Sequence, residues 1–206
     1  MNVVIIDTGS ANLGSVRHAL TRLGVVADTT CDSSKIAAAD RVILPGVGHA
    51  RTAMAELERA GLIGLIGSLT QPVLGICLGL QLLYESSSEG DVDCLGVIPG
   101  RVEPLTEREG LRLPHMGWNQ LKWRDDADPL ARELGPEAWF YFVHSFAAPV
   151  EHAVATCCHG DEFAAIVRYR NFAACQFHPE KSAAVGARLM ANFLLESRQQ
   201  EPLTCS

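Results

Sequence analysis

Apolar and polar positions follow one rhythm in the first half of this chain and another in the second. Val3 to Ile6 is an unbroken apolar run that stops at Asp7, so Asn2 to Asp7 reads as a buried first strand. Leu13, Val16, Leu20 and Leu23 recur at helical spacing after the cap candidates Ser10 and Asn12, and Gly24 ends that helix. Val25 to Thr30 and Arg41 to Pro45 predict the second and third strands, Arg51 to Ser68 one helix, and Pro72 to Ile76 a fourth strand. Leu80 to Tyr84 continues as an apolar, helix-like segment. Strands alternating with helices imply a parallel sheet covered on both faces, with ligands bound at the carboxyl ends of its strands.

Beyond residue 90 the predicted elements are short strands separated by turn signals: Val97 to Leu105, Leu111 to Leu113, Gln120 to Trp123, Trp139 to Ser145, Ala153 to Cys158, Ala164 to Tyr169 and Phe172 to Phe177. Antiparallel pairing is the economical way to connect them. Asp128 to Leu134 reads as a short helix, about Ala183 to Gln200 as a closing helix, and Glu201-Pro202 as the start of a polar tail. The expected fold is α/β: an open, mostly parallel central sheet with helices on both faces, plus an antiparallel, strand-rich second half. No linker, repeat or low-complexity tract divides residues 1–206, so one domain is expected.

Composition narrows the class. With 48% hydrophobic and 20% charged residues, a folded soluble protein is expected, and the net charge of -7 disfavours nucleic acid as a partner. The apolar start is too short for a signal peptide, and no stretch reaches the roughly 18 apolar residues that span a bilayer. A cytoplasmic protein is expected. The seven cysteines show no C-x-x-C pair, so a zinc site is not expected and reduced thiols are. Cys94, Cys157, Cys158 and Cys175 read as small core or near-core residues.

Candidate chemistry centres on Gly75-Ile76-Cys77-Leu78-Gly79, where the fourth strand turns into a helix. A sharp strand-to-helix turn crowds the residues two before and two after its apex, and glycine relieves the crowding. The turn leaves Cys77 at a helix N-terminus, whose free N–H groups favour the thiolate and can hold an oxyanion. Taken alone, the motif also fits a buried structural cysteine. Phe177-His178-Pro179-Glu180-Lys181 supplies possible partners, because residues two apart in an extended segment face one side. His178 can then take the thiol proton and Glu180 can steady the imidazole. Taken alone, His-Pro-Glu also fits a surface turn. In Pro45-Gly46-Val47-Gly48 two glycines bend the backbone, and the Val47 N–H with that of Leu78 can complete an oxyanion hole. A plain turn is the other reading, and a phosphate loop is excluded because no G-K-S/T follows.

Together these three motifs, in this order, resemble the triad-type (class I) glutamine amidotransferases, over nearly the whole chain. Ile6 to Gly14, Leu113 to Asn119, Tyr141 to Phe146 and His178 to Ser182 are further similar to the glutaminase-subunit family of imidazole glycerol phosphate synthase. The resemblance implies glutamine hydrolysis through a Cys77 thioester with His178 and Glu180 as partners, and no metal or redox cofactor. It implies that ammonia passes to a (βα)8-barrel cyclase subunit, which converts PRFAR to imidazole glycerol phosphate and AICAR in histidine biosynthesis. It places Gly46, Gly48, Gln81, Glu89, His144, Ser145 and Phe146 around glutamine, and Asn12, Trp118 and Lys181 against the cyclase; Trp118 as ordinary core is the other reading of that position. One departure is His49-Ala50, where the family often carries an aromatic. A glutaminase serving another ammonia-using synthase, a peptidase or hydrolase on the same elbow, and a non-catalytic binding module remain as alternatives.

Overall fold

Val3–Ile6 (β1) is buried on both faces, with Val3 and Ile5 turned into one core and Val4 and Ile6 into the other. A computed structural model describes residues 1–7, 9 and 13–196; the cap candidates Ser10 and Asn12 and the polar tail lie outside the described residues. The first half continues as Leu13–Arg22 (α1), Ala27–Thr30 (β2), Ser33–Ala37 (α2), Arg41–Gly46 (β3), Ala50–Arg59 (α3), Ile63–Ser68 (α4), Val73–Cys77 (β4) and Leu78–Leu82 (α5). The single helix expected from Arg51 to Ser68 is two. Gly61 adopts φ 68, a left-handed conformation that stops the first helix and lets Leu62 turn fully inward before the second begins. The helix α2 was not expected; Asp32 caps it, accepting from the N–H groups of Ser34 and Lys35 at 2.8 and 3.3 Å.

The second half comprises Tyr84–Ser87 (β5), Val92–Asp93 (β6), Ile98–Pro104 (β7), His115–Gln120 (β8), Lys122–Trp123 (β9), Trp139–His144 (β10), Phe146–Ala147 (β11), Ala153–His159 (β12), Asp161–Tyr169 (β13), Phe172–Cys175 (β14) and Ala183–Leu195 (α6). Single 3-10 turns occupy Pro129–Ala131 and Pro179–Lys181. Leu111 to Leu113 is not a strand; the ladder begins at His115, which faces His144 across the β8–β10 pair. Tyr84 opens a strand rather than closing the elbow helix.

The main sheet runs β2-β1-β3-β4-β14-β13-β12-β9. Its first five strands are mutually parallel and its last three turn antiparallel. Antiparallel pairing was expected throughout the second half, but β14 lies parallel beside β4, with Ala174 opposite Gly75 and Cys175 opposite Ile76. That placement matters most for function, because it delivers the segment after β14 to the end of β4. One core, with Val16, Leu20, Leu189 and Phe193, lies under α1 and α6; the other, with Met54, Leu57, Ile66 and Leu80, lies under α3, α4 and α5. Burial of these apolar faces is the main force holding helices to sheet.

A buried ion network closes the far end. The Arg168 guanidinium of β13 bonds both oxygens of Asp128 and reaches Glu196 at the end of α6. Burial pushes the Arg168 pKa down, but the two carboxylates outweigh it and hold the charge. Substituting Arg168→Met leaves two carboxylates, 3% and 8% exposed, without their cation. The expected loss is about 3 kcal/mol or more, read from urea unfolding.

Candidate active site

Cys77 ends β4 with φ 55 and ψ -110, outside the comfortable regions for a side chain with a Cβ. Its neighbours show why the turn is possible. A Cβ on Gly79 would sit 1.8 Å from the Leu44 carbonyl oxygen of β3. A Cβ on Gly75 would sit 2.9 Å from both Ala174 Cβ and the Gly79 oxygen, and one on Gly46 would sit 2.9 Å from Leu78 Cβ. The three glycines let β3, β4, β14 and α5 converge on the cysteine.

The β4–β14 register then brings Gln176, Phe177 and His178 to the same edge. The His178 N–H donates to the Tyr141 carbonyl at 2.9 Å, and the Ser182 hydroxyl donates to the His178 carbonyl at 2.7 Å. His178 Nδ1 lies 2.8 Å from Glu180 Oε1, and both side chains are buried. Burial disfavours the imidazolium, but the Cys77 sulfur and the Glu180 carboxylate favour it more strongly, so the His178 pKa rises to about 9. Nε2, the other ring nitrogen, is buried and makes no hydrogen bond among the described residues. The ring is thus gripped at one nitrogen and open at the nitrogen that faces chemistry.

Cys77 and His178 share a cavity of about 190 Å³, whose walls also include Val47, Gly48, Leu78, Gln81, Glu89, Val143, His144, Ser145 and Phe146. Its size suits a ligand on the scale of one amino acid. Gly46 lies under the wall, packed on Leu78 and Gly79, and Glu180 stands behind His178. Glu89 also serves the fold, because its carboxylate accepts from the Ala50 N–H at 2.7 Å and caps α3, where His49 makes no side-chain cap.

A chain of polar contacts fixes the cavity wall. The Phe146 carbonyl accepts from Gln81 Nε2 at 2.8 Å and from His144 Nδ1 at 2.9 Å. His144 Nε2 therefore accepts from His115 Nδ1 at 3.0 Å, and His115 Nε2 lies 3.3 Å from Asn119 Nδ2. Burial, and then the other histidines, lower the His115 pKa to about 3; burial also lowers that of His144 to about 4 despite its bond to Phe146. Both rings are neutral at neutral pH. Depressed values contribute stability that is present above the unfolded value, about 6.5, and lost as pH falls; the raised value of His178 contributes stability present below 6.5 and lost as pH rises through about 9. These three groups place the stability maximum near pH 6.5, which urea midpoints at acidic, near-neutral and alkaline pH will check.

The other thiols are of two kinds. Burial pushes the Cys94 and Cys157 pKa values up to about 11 and about 12, and that of Cys175 well above the ordinary value. Cys31 is exposed, and so is Cys158, contrary to the core placement its pattern predicts: Cys158 lies near the end of β12, just past the buried run Val154 to Cys157. Cys205 lies outside the described residues. Among the described residues no group of three or more His, Cys, Asp or Glu is arranged to hold a metal ion, and no helix is long and apolar enough to cross a membrane.

Residues 4–197 match the family model for glutamine amidotransferase class-I. The chain belongs to the class-I glutamine amidotransferases. It is 54% identical, over 93% of its length and 96% of the relative's, to the imidazole glycerol phosphate synthase subunit HisH of Xylella fastidiosa. It is 53% identical, over 94% and 96%, to the subunit of the same name from Xanthomonas campestris pv. campestris. A solved glutamine amidotransferase structure superimposes with a TM-score of 0.69 at 22% identity, covering 94% of this chain and 97% of that one, and shares the fold.

On this amidotransferase Trp118 and Lys181, expected to face a partner, are not part of the cavity wall. Trp118 of β8 is 49% exposed, which sets aside its reading as core, and stands edge-on to Tyr141 at 5.9 Å. Met116 and Trp139 extend the same apolar face, at 63% and 50% exposure. Lys181 is exposed in the turn after Glu180, and Asn12 is outside the described residues. Two residues that sequence reasoning missed touch the site's machinery. Gln176 contacts the nucleophile, and His115 supports His144. His115 sits in a strand the hydropathy pattern did not mark. Gln176 could have been noticed as a polar residue inside an apolar strand end, Phe172 to Phe177.

Proposed function

We propose that this amidotransferase is the glutaminase subunit of imidazole glycerol phosphate synthase. Cys77 and His178 share one proton, which the raised pKa of His178 keeps on the imidazole as the sulfur attacks the side-chain carbonyl carbon of glutamine and forms an S–C bond. The tetrahedral oxyanion is held by the N–H groups of Val47 and Leu78. The carbon–nitrogen bond then breaks as His178 returns a proton to the leaving nitrogen, giving ammonia and a thioester. Water, deprotonated by the same imidazole, cleaves the thioester to glutamate and regenerates the thiol. Glu180 holds the ring and stabilises its cationic form throughout. The observation that carries this reading is the shared cavity: a strained, glycine-framed cysteine faces an imidazole whose far nitrogen is already paired to a carboxylate.

The ligand is glutamine, held by Gly48, Gln81, Glu89 and the His144-Ser145-Phe146 segment over a floor that needs Gly46. The partner is a (βα)8-barrel cyclase that docks on the apolar face of Trp118 and Met116, with Lys181 and Asn12 (the latter outside the described residues) as further contacts, and receives the ammonia for conversion of PRFAR. Neither a metal nor a redox cofactor enters this scheme, and the compartment is the cytoplasm. Glutamate release measured with and without the barrel subunit tests the proposal. Release that depends on glutamine and rises when the barrel is added is expected. A complex that forms and yields no glutamate would refute it.

A further inference from the structure

Gln176 has no part in the scheme above, yet it is fully buried between Gln81 and the nucleophile. Its Oε1 accepts from Gln81 Nε2 at 3.0 Å, and its Nε2 lies 3.9 Å from Cys77 Sγ. The direction of these contacts is forced. A backbone carbonyl can only accept, so Gln81 must turn its amide nitrogen to Phe146. The same nitrogen faces Gln176, whose nearer atom must then be oxygen. Gln176 is left with its own amide nitrogen on the side of the sulfur. The β4–β14 register explains the position: Cys175 pairs with Ile76, so the next residue on each strand, Gln176 and Cys77, stand side by side.

We infer that Gln176 is a positioning residue with two holds: its N–H steadies the Cys77 sulfur, and its carbonyl oxygen locks the Gln81 amide. The contact to sulfur is long at rest, 3.9 Å, and shortens as negative charge gathers there, when a hydrogen bond becomes charge-assisted. The second hold sets the polarity of the wall. Both Nε2 hydrogens of Gln81 are committed, to Phe146 and Gln176, so its carbonyl oxygen is the group left for a ligand. A wall of that polarity selects an N–H donor. This second hold rests on the glutamine reading of the cavity; the first does not.

Gln176→Glu separates the holds. It keeps an acceptor for Gln81 but puts a carboxylate oxygen against the sulfur. Three quantities are measured beside wild type: the rate of Cys77 carbamidomethylation by iodoacetamide at neutral pH, kcat and KM for glutamine in the complex with the barrel subunit, and the melting temperature. Alkylation and kcat are expected to fall about tenfold or more, with KM within about twofold. Gln176→Met removes both holds, so alkylation slows and KM rises as well; if the glutamate variant fails to fold, this variant decides. A purely structural role would lower the melting temperature while folded protein alkylated at the wild-type rate, and that result would overturn the inference. If the wild-type complex released no glutamate, the glutamine reading would fall, and the alkylation rates would still decide the hold on sulfur.

Discussion

Cys77→Ala and Cys77→Gly both stop glutamate release, and the glycine variant is the more stable of the two. Loss of activity follows from chemistry: without the sulfur no thioester forms, and the fall should be on the order of ten-thousandfold. The stability order follows from the backbone. At an ordinary position glycine costs up to about 1 kcal/mol relative to alanine, because it loses more freedom on folding. At φ 55 and ψ -110 any Cβ is strained, and such strain costs roughly 1 to 3 kcal/mol. Alanine keeps the strain and glycine removes it, so the usual order inverts by about 1 kcal/mol. Urea unfolding of the two variants measures it. An alanine variant more stable than the glycine one would mean the nucleophile is not held under strain.

Gly79→Ala is expected to have the largest effect on folding. The new methyl would meet the Leu44 carbonyl oxygen at 1.8 Å and its carbon at 2.9 Å. These are backbone atoms of a fully buried strand and cannot step aside as a flexible side chain would. The elbow helix must move off β3 and carry Cys77 with it. A cost of about 3 kcal/mol or more is expected, with loss of activity in whatever protein folds. Gly64→Ala is the control. It lies in α4 with nothing within 4 Å of the new methyl, so a gain of up to about 1 kcal/mol is expected. Equal unfolding midpoints for the two variants would contradict the steric account of the elbow.

What could be read from the sequence was local. The requirement for glycine on either side of Cys77 acts over five residues, and the bond between His178 and Glu180 acts over three. Short-range sterics and alternation suffice for both. Strands β1, β3 and β4 were legible because an apolar run too short for a helix, ended by glycine or a polar residue, fits a buried strand. Features that depend on distant pairing were not legible. Nothing in Phe172 to Cys175 says that it will lie parallel to β4, and the position of Gln176 follows only from that register. The break at Gly61 was hidden because apolar residues continue at helical spacing through Leu62 and Ile63. Leu111 to Leu113 misled because two leucines flanking an arginine imitate a strand, while Met116 and Trp118, the exposed residues of the true strand, look apolar enough for a core. Glu89 as the cap of α3 could not be foreseen, since its partner Ala50 is 39 residues away.

The most direct test uses the thiols themselves. A glutamine-mimicking electrophile is added to the complex, and the labelled peptide is identified by mass spectrometry, with and without excess glutamine. One adduct, on Cys77 and suppressed by glutamine, is the predicted result, even though Cys31 and Cys158 are the exposed thiols among the described residues. Labelling that prefers Cys31 or Cys158, or labelling of Cys77 that glutamine does not slow, would contradict the assignment of this cavity as a glutaminase site.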